Sequence, residues 1–142
     1  MTKSQLLVES CACTRLRTAA RLITRAYDEA LRPSGINASQ LAILAAIDVG
    51  DATSIVTLAK RLDVDRTTLS RNLKPLEKMN LIRLGPEGWK RSKTMHVTAE
   101  GQRRLATAAG LWEHAQAGFL DRFGKAQWKR VETDLKAIAA HY

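Results

Sequence analysis

The chain has 142 residues and a mass of 15.7 kDa, enough apolar material for one hydrophobic core and too little for two. Its 45% hydrophobic and 26% charged residues argue against a disordered or fibrous chain, and the longest uncharged run, Pro33 to Ile47, is too short and too interrupted to span a bilayer. Lys and Arg number 23 against 14 Asp and Glu, a net charge of +9 with pI near 10.1, so the expected partner is an anion such as nucleic acid or a membrane surface.

The N-terminus, Met-Thr-Lys-Ser-Gln, leads to Glu9 and two cysteines rather than to an apolar stretch with a cleavage site, so a cytoplasmic protein is expected. From Lys3 to Arg32, apolar Leu6, Leu16, Ala20, Ile23, Tyr27, Ala30 and Leu31 alternate with Arg17, Arg21 and Arg25 on another face, which predicts one long amphipathic helix. Pro33-Ser34-Gly35 stops it. Asn37 and Gln40 have the spacing of a capping box for a second helix with the body Leu41 to Ile47, ended by Gly50-Asp51. A short third helix, from about Ser54 to Leu62, is followed by Asp63-Val64-Asp65, and Asp65 can cap a fourth from Arg66 to Met79. Two short helices joined by so tight a turn form a helix-turn-helix pattern.

After Asn80 the period changes. Leu81 to Leu84 reads as a strand, Gly85-Pro86-Glu87-Gly88 as a turn, and Lys93 to Val97 as a returning strand. Thr98 caps a fifth helix running to about Phe123, and Gly124 separates it from a last helix with the stripe Trp128, Val131, Leu135 and Ile138. The expected order is α-α-α-α-β-β-α-α, a single mainly α domain over residues 1–142 with a small β-hairpin.

Charge is unevenly placed along this order. Residues 60–104 carry 12 basic and 5 acidic side chains, whereas residues 1–59 carry 6 and 5 and residues 105–142 carry 5 and 4. On the fourth helix, Leu69, Leu73 and Leu76 share one face, and Arg66, Thr67, Ser70, Arg71 and Lys74 share the other. That division suits a helix in the major groove of double-stranded DNA: Arg can donate two hydrogen bonds to guanine, Ser and Thr reach bases or phosphates, and Lys neutralises phosphate. Pro75 removes one backbone hydrogen bond and should bend the helix beyond these residues. Lys90, Arg91 and Lys93 lie on the hairpin, where a wing can follow the phosphates or enter the minor groove. With roughly 3–5 phosphate contacts per subunit, log affinity should fall by about 0.9 per contact per decade of salt.

The stretch Val64-Asp-Arg-Thr-Thr-Leu-Ser-Arg-Asn-Leu-Lys-Pro-Leu-Glu-Lys-Met-Asn-Leu-Ile82, with Leu58-Ala59 before it and Val97-Thr98-Ala99-Glu100-Gly101 after it, resembles the MarR family of transcriptional regulators. The resemblance implies a winged helix-turn-helix lobe at about 53–98, with helices at about 3–32 and 98–142 forming a homodimer. It also implies a near-palindromic operator, repression relieved by an effector, and an effector site between the dimerisation helices and the DNA-binding lobe, for which a small aromatic acid is the expected ligand. Two departures stand out: Trp89-Lys90-Arg91 occupies the wing tip where the family often has Asp-Arg-Arg, and Asn80 replaces a usual Gly.

Cys11 and Cys13 are the only cysteines. In a continuous helix they point about 200° apart and cannot bridge, which favours a packing role. The placement of Cys13 and Tyr27 is nonetheless similar to that of the sensing cysteine and a partner tyrosine in the organic-hydroperoxide branch of the family, although Arg17 and Ala38 stand where that branch has further tyrosines. Arg15 and Arg17 can lower a nearby thiol pKa. Cys13 and Cys11 are therefore candidate redox residues. His96, His114 and His141 lack metal-ligand spacing, and no catalytic or cofactor fingerprint occurs, so neither an enzyme nor a cofactor is expected. Two readings compete: an effector-controlled regulator, and a nonspecific or architectural DNA-binding protein with the same basic lobe.

Overall fold

A computed structural model describes residues 1–50, 53–85 and 94–142. The elements are α1 (Lys3–Ser10), α2 (Ala12–Leu31), a 3-10 turn (Arg32–Ser34), α3 (Ala38–Gly50), β1 (Thr53–Ser54), α4 (Ile55–Leu62), α5 (Arg66–Lys78), β2 (Ile82–Leu84), β3 (Thr94–Val97), α6 (Ala99–Phe123) and α7 (Lys125–Ala140). The helices and their caps fall close to where the side-chain pattern puts them. Asn37 and Gln40 exchange hydrogen bonds at 2.9 Å to open α3, Ser54 caps α4 through the Thr57 N–H, and Asp65 caps α5 through the Thr68 N–H at 2.7 Å.

Two differences from the sequence expectation matter. The long N-terminal helix is two helices, because Cys11 adopts an extended conformation (φ −68°, ψ 116°) between α1 and α2. The run Glu9-Ser-Cys-Ala-Cys-Thr14 is poor in strong helix formers, and its Ser and Thr offer the backbone competing hydrogen bonds. Arg15 stabilises the break: its Nε and Nη2 both donate to the Glu9 carbonyl, at 2.9 and 2.7 Å, satisfying an acceptor that the interrupted helix leaves open. The second difference is β1, which pairs antiparallel with β3 (Thr53 opposite Met95, Ser54 opposite Thr94) and turns the hairpin into a three-stranded sheet of order β1-β3-β2. Two residues are too few to show a strand period.

The buried side chains gather where α3, α4, α5 and the sheet meet. Ile43, Leu44 and Ile47 from α3, Ile55 and Leu58 from α4, Leu69, Leu73 and Leu76 from α5, and Ile82 and Met95 from the sheet form one cluster. Between α4 and α5 the chain turns through Asp63 in the left-handed region (φ 52°), whose N–H closes the end of α4. Asp tolerates that conformation because its short side chain relieves the strain locally. Helix α5 runs on through Pro75.

The outer helices bury very little. No residue of α1 or α7 is buried, and in α2 only Leu31 is. Helix α6 crosses the base of the sheet at Gly101, where an added Cβ would stand 2.1 Å from the Leu81 carbonyl oxygen. Thr98 locks that crossing, since its hydroxyl donates to the Asn80 carbonyl at 2.6 Å and accepts from the Gly101 N–H.

Candidate nucleic-acid interface

Helix α5 is divided by burial as its sequence pattern requires. Leu69, Leu73 and Leu76 are fully buried, and the face turned away from them exposes Arg66, Thr67, Arg71 and Lys74, with Ser70 half-buried. Thr68 takes no part in that face, because its hydroxyl donates to Asp65 Oδ2 at 2.9 Å. The Asp65 carboxyl is held below the usual carboxylate range, first by the Thr68 backbone N–H and then by its hydroxyl, so the cap stays ionised at the positive end of α5. Among the described residues, Arg66, Arg71 and Lys74 form no ion pair, which leaves their charge available to an outside anion. Lys90, Arg91 and Lys93 lie outside the described residues, as does Trp89.

One exposed cation of the same lobe is missing from the sequence reading. Arg83 is exposed on β2 between buried Ile82 and half-buried Leu84, opposite His96 on β3. The signal was the single charge in Leu81-Ile-Arg-Leu84, since on a strand Arg83 points opposite to its neighbours Ile82 and Leu84. Arg61, by contrast, is occupied: it donates to the Ala46 carbonyl at 2.9 Å and ties α4 to α3.

Behind this lobe lies a cavity of about 390 Å³, bounded by Tyr27 and Leu31 of α2, Leu41 and Ala45 of α3, and Leu105, Ala109 and Trp112 of α6. The size is within the range of small-molecule sites. No charged side chain lines it. Tyr27 donates its hydroxyl proton to Gln116 Oε1 on α6, and its burial pushes the phenol pKa upward. The wall α3 is fixed from both sides: Asp28 Oδ1 accepts from the Ala38 N–H at 2.8 Å, and Gln102 Nε2 donates to Asp48 Oδ1 at 2.7 Å.

The two thiols are placed differently from each other. Cys13 is exposed on α2 and Cys11 is half-buried at the break. The Cys11 thiol pKa is lowered, first by the Thr14 backbone N–H and then by the Thr14 side chain, rather than by the arginines suggested from sequence. Cys13 and Tyr27 both lie on α2, whose rise of about 1.5 Å per residue separates them by roughly 21 Å. Within one chain they cannot touch. Among the described residues, no group of three or more His, Cys, Asp or Glu side chains gathers in a way that could hold a metal ion, and no helix is long and apolar enough to cross a membrane.

Comparison with known proteins gives this arrangement a family. The MarR family model matches residues 34–91, a range that takes in the end of the 3-10 turn, α3, α4, α5 and β2. The crystal structure of the Mycobacterium tuberculosis transcriptional regulator MosR is 36% identical, with 94% of this chain and 96% of that chain covered and a TM-score of 0.81. MosR in complex with DNA gives 37% identity, coverage of 93% and 96%, and a TM-score of 0.81. The transcriptional repressor CouR shares the fold at 19% identity, with 99% and 100% covered and a TM-score of 0.85. No curated protein matches the sequence. The chain belongs to the MarR family of transcriptional regulators and is not an enzyme.

Proposed function

We propose that this protein is a homodimeric, sequence-specific DNA-binding repressor whose grip on a near-palindromic operator is released by a small molecule or by thiol oxidation. The observation that carries the reading is the divided α5: a stripe of fully buried leucines fixes the helix, and Arg66, Thr67, Ser70, Arg71 and Lys74 face outward with no competing ion pair among the described residues. Arg71 and Arg66 are assigned to base edges and Lys74 to phosphate, with Lys90, Arg91 and Lys93 of the wing extending the contact. That MosR, at 37% identity, has been crystallised with DNA supports the same use of the lobe here. The apolar cavity behind α3 supports effector control.

The helix break supports the thiol branch. With Cys11 outside any helix, the 200° divergence that keeps i and i+2 thiols apart no longer applies, and one organic hydroperoxide can oxidise the pair: two S–H bonds and the O–O bond break, an S–S bond forms, and alcohol and water leave. The lowered Cys11 pKa makes it the first nucleophile.

Selection from a random duplex pool at physiological salt tests both halves. A near-palindrome with half-sites about one helical turn, roughly 34 Å, apart and preferred over random DNA by roughly 10³-fold is expected. Binding without enrichment would instead establish the nonspecific, architectural reading. Treatment with an organic hydroperoxide should release wild-type protein but not Cys11→Ser or Cys13→Ser. Equal release of the doubly substituted chain would remove the thiols from the mechanism.

A further inference from the structure

The first two turns of α6 hold the reading lobe at three places. Gly101 lies against the Leu81 carbonyl at the base of the sheet, Gln102 donates to Asp48 in the last turn of α3, and Arg104 Nη1 donates to the Ser34 carbonyl at 3.2 Å, just ahead of α3. At about 100° per residue, these positions spread over roughly 160° of the helix circumference. Two contacts would leave a rod free to turn about the line joining them. Three that do not lie in line fix its direction.

Of the three, the Arg104 contact grips the joint between α2 and α3. That turn is tied internally: the Gly35 N–H donates to the Arg32 carbonyl at 3.0 Å, and the buried Ser34 hydroxyl donates to the Leu31 carbonyl at 2.6 Å. A turn closed in this way moves as one piece, and the Ser34 carbonyl is its handle. Glu100, one turn earlier on α6, aims the guanidinium: its Oε1 accepts from Arg104 Nε at 3.3 Å, while its Oε2 accepts from Arg103 Nη2 at 2.6 Å. Gly35, left-handed at φ 75°, leaves the space, since an added Cβ there would stand 2.5 Å from Arg104 Nη1. We infer that Arg104 is a positioning residue: through the Ser34 carbonyl it fixes the direction of α6 against α3, and so the distance between the two reading helices of the dimer. This rests on the homodimer reading given above. A single hydrogen bond from a half-buried side chain adds little to stability, so the effect of Arg104 falls on geometry rather than on folding.

Binding of the full chain to three kinds of duplex tests this: two half-sites at the selected spacing, the same half-sites one base pair closer or farther apart, and a single half-site. Wild type should lose roughly tenfold or more when the spacing changes, since one base pair moves a half-site by about 3.4 Å and about a tenth of a turn. Arg104→Met should lose less than about threefold, with affinity for the single half-site within about twofold of wild type. Arg104→Lys, which keeps a donor for the Ser34 carbonyl, should restore part of the discrimination. Gly35→Ala, which displaces the guanidinium without removing it, should relax the spacing as Arg104→Met does, and either variant suffices should the other fail to fold. A spacing preference as sharp as that of wild type would overturn the role of Arg104. So would an equal loss on every duplex, the single half-site included, because that is the mark of damaged structure rather than altered geometry. A wild type indifferent to spacing would instead overturn the homodimer reading, and the positioning role with it.

Discussion

Arg71 and Lys74 stand one turn apart on the outward face of α5, yet the proposed interface gives them different work. Arg71 has a planar fork of donors suited to guanine, whereas Lys74 is a flexible point charge suited to phosphate. Arg71→Ala should therefore cost about 1–3 kcal/mol on the selected operator and relax the preference at one base position. Lys74→Ala should weaken all duplexes alike and reduce the salt slope by about 0.9. Both effects are read from binding isotherms at several salt concentrations. An Arg71 variant with unchanged affinity would take that residue off the interface. Thr67 and Thr68 divide in the same way: one is spent on the Asp65 cap and the other is left facing outward.

At the scale of the element, α6 packs closely against the base of the sheet at Gly101. Gly101→Ala places a methyl carbon against backbone rather than against a movable side chain, with Leu81 O at 2.1 Å and Val97 Cγ1 at 2.7 Å. The wing base must then shift. The expected loss is about 1–3 kcal/mol of stability, seen as a lower urea midpoint with an unchanged slope; a midpoint equal to wild type would mean that α6 can move away freely.

How much of this was legible beforehand depended on whether a feature is encoded in side-chain periodicity. The caps at Asn37, Asp65 and Thr98 and the leucine stripe of α5 are written in local spacing, and the sequence reading found them. The outward set on α5 followed from the same stripe. The Cys11 break was hidden because the apolar positions on either side continue in helical phase, so only the weak helix propensity of Glu9 to Thr14 hinted at it. Strand β1 was hidden because its backbone pairing with β3 joins residues about forty positions apart and needs no alternating pattern. The Gly101 crossing and the Tyr27–Gln116 bond are tertiary facts, joining residues whose separation no window of sequence spans. Arg83 was legible and overlooked, because the hairpin's charges were sought near its tip.

For the whole molecule, the unequal distribution of burial is the leading fact. The core sits in α3, α4, α5 and the sheet, while no residue of α1 or α7 is fully buried and Leu135 and Ile138 stay exposed at 39% and 44%. Leu6, Leu7 and Val8 of α1 are more exposed still. Exposed apolar side chains of this kind are what the proposed homodimer would cover. The double variant Leu135→Glu, Ile138→Glu should sediment as a monomer and lose high-affinity operator binding, since one subunit reaches only one half-site. Retention of a dimer would move the interface to α1 and α2.

Helix α3 would give the proposed dimer a mechanical property. On one side its Ile43, Leu44 and Ile47 are embedded in the core that carries α5, and on the other its Leu41 and Ala45 wall the cavity. A straight rod shared by two compartments cannot be pushed from one without the other yielding. Two such rods, one in each half of a symmetric pair, would swing their reading helices in opposite senses, so the error in groove spacing doubles. In the proposed dimer, a guest behind α3 would need to displace it only slightly for the pair to lose step with the pitch of the double helix.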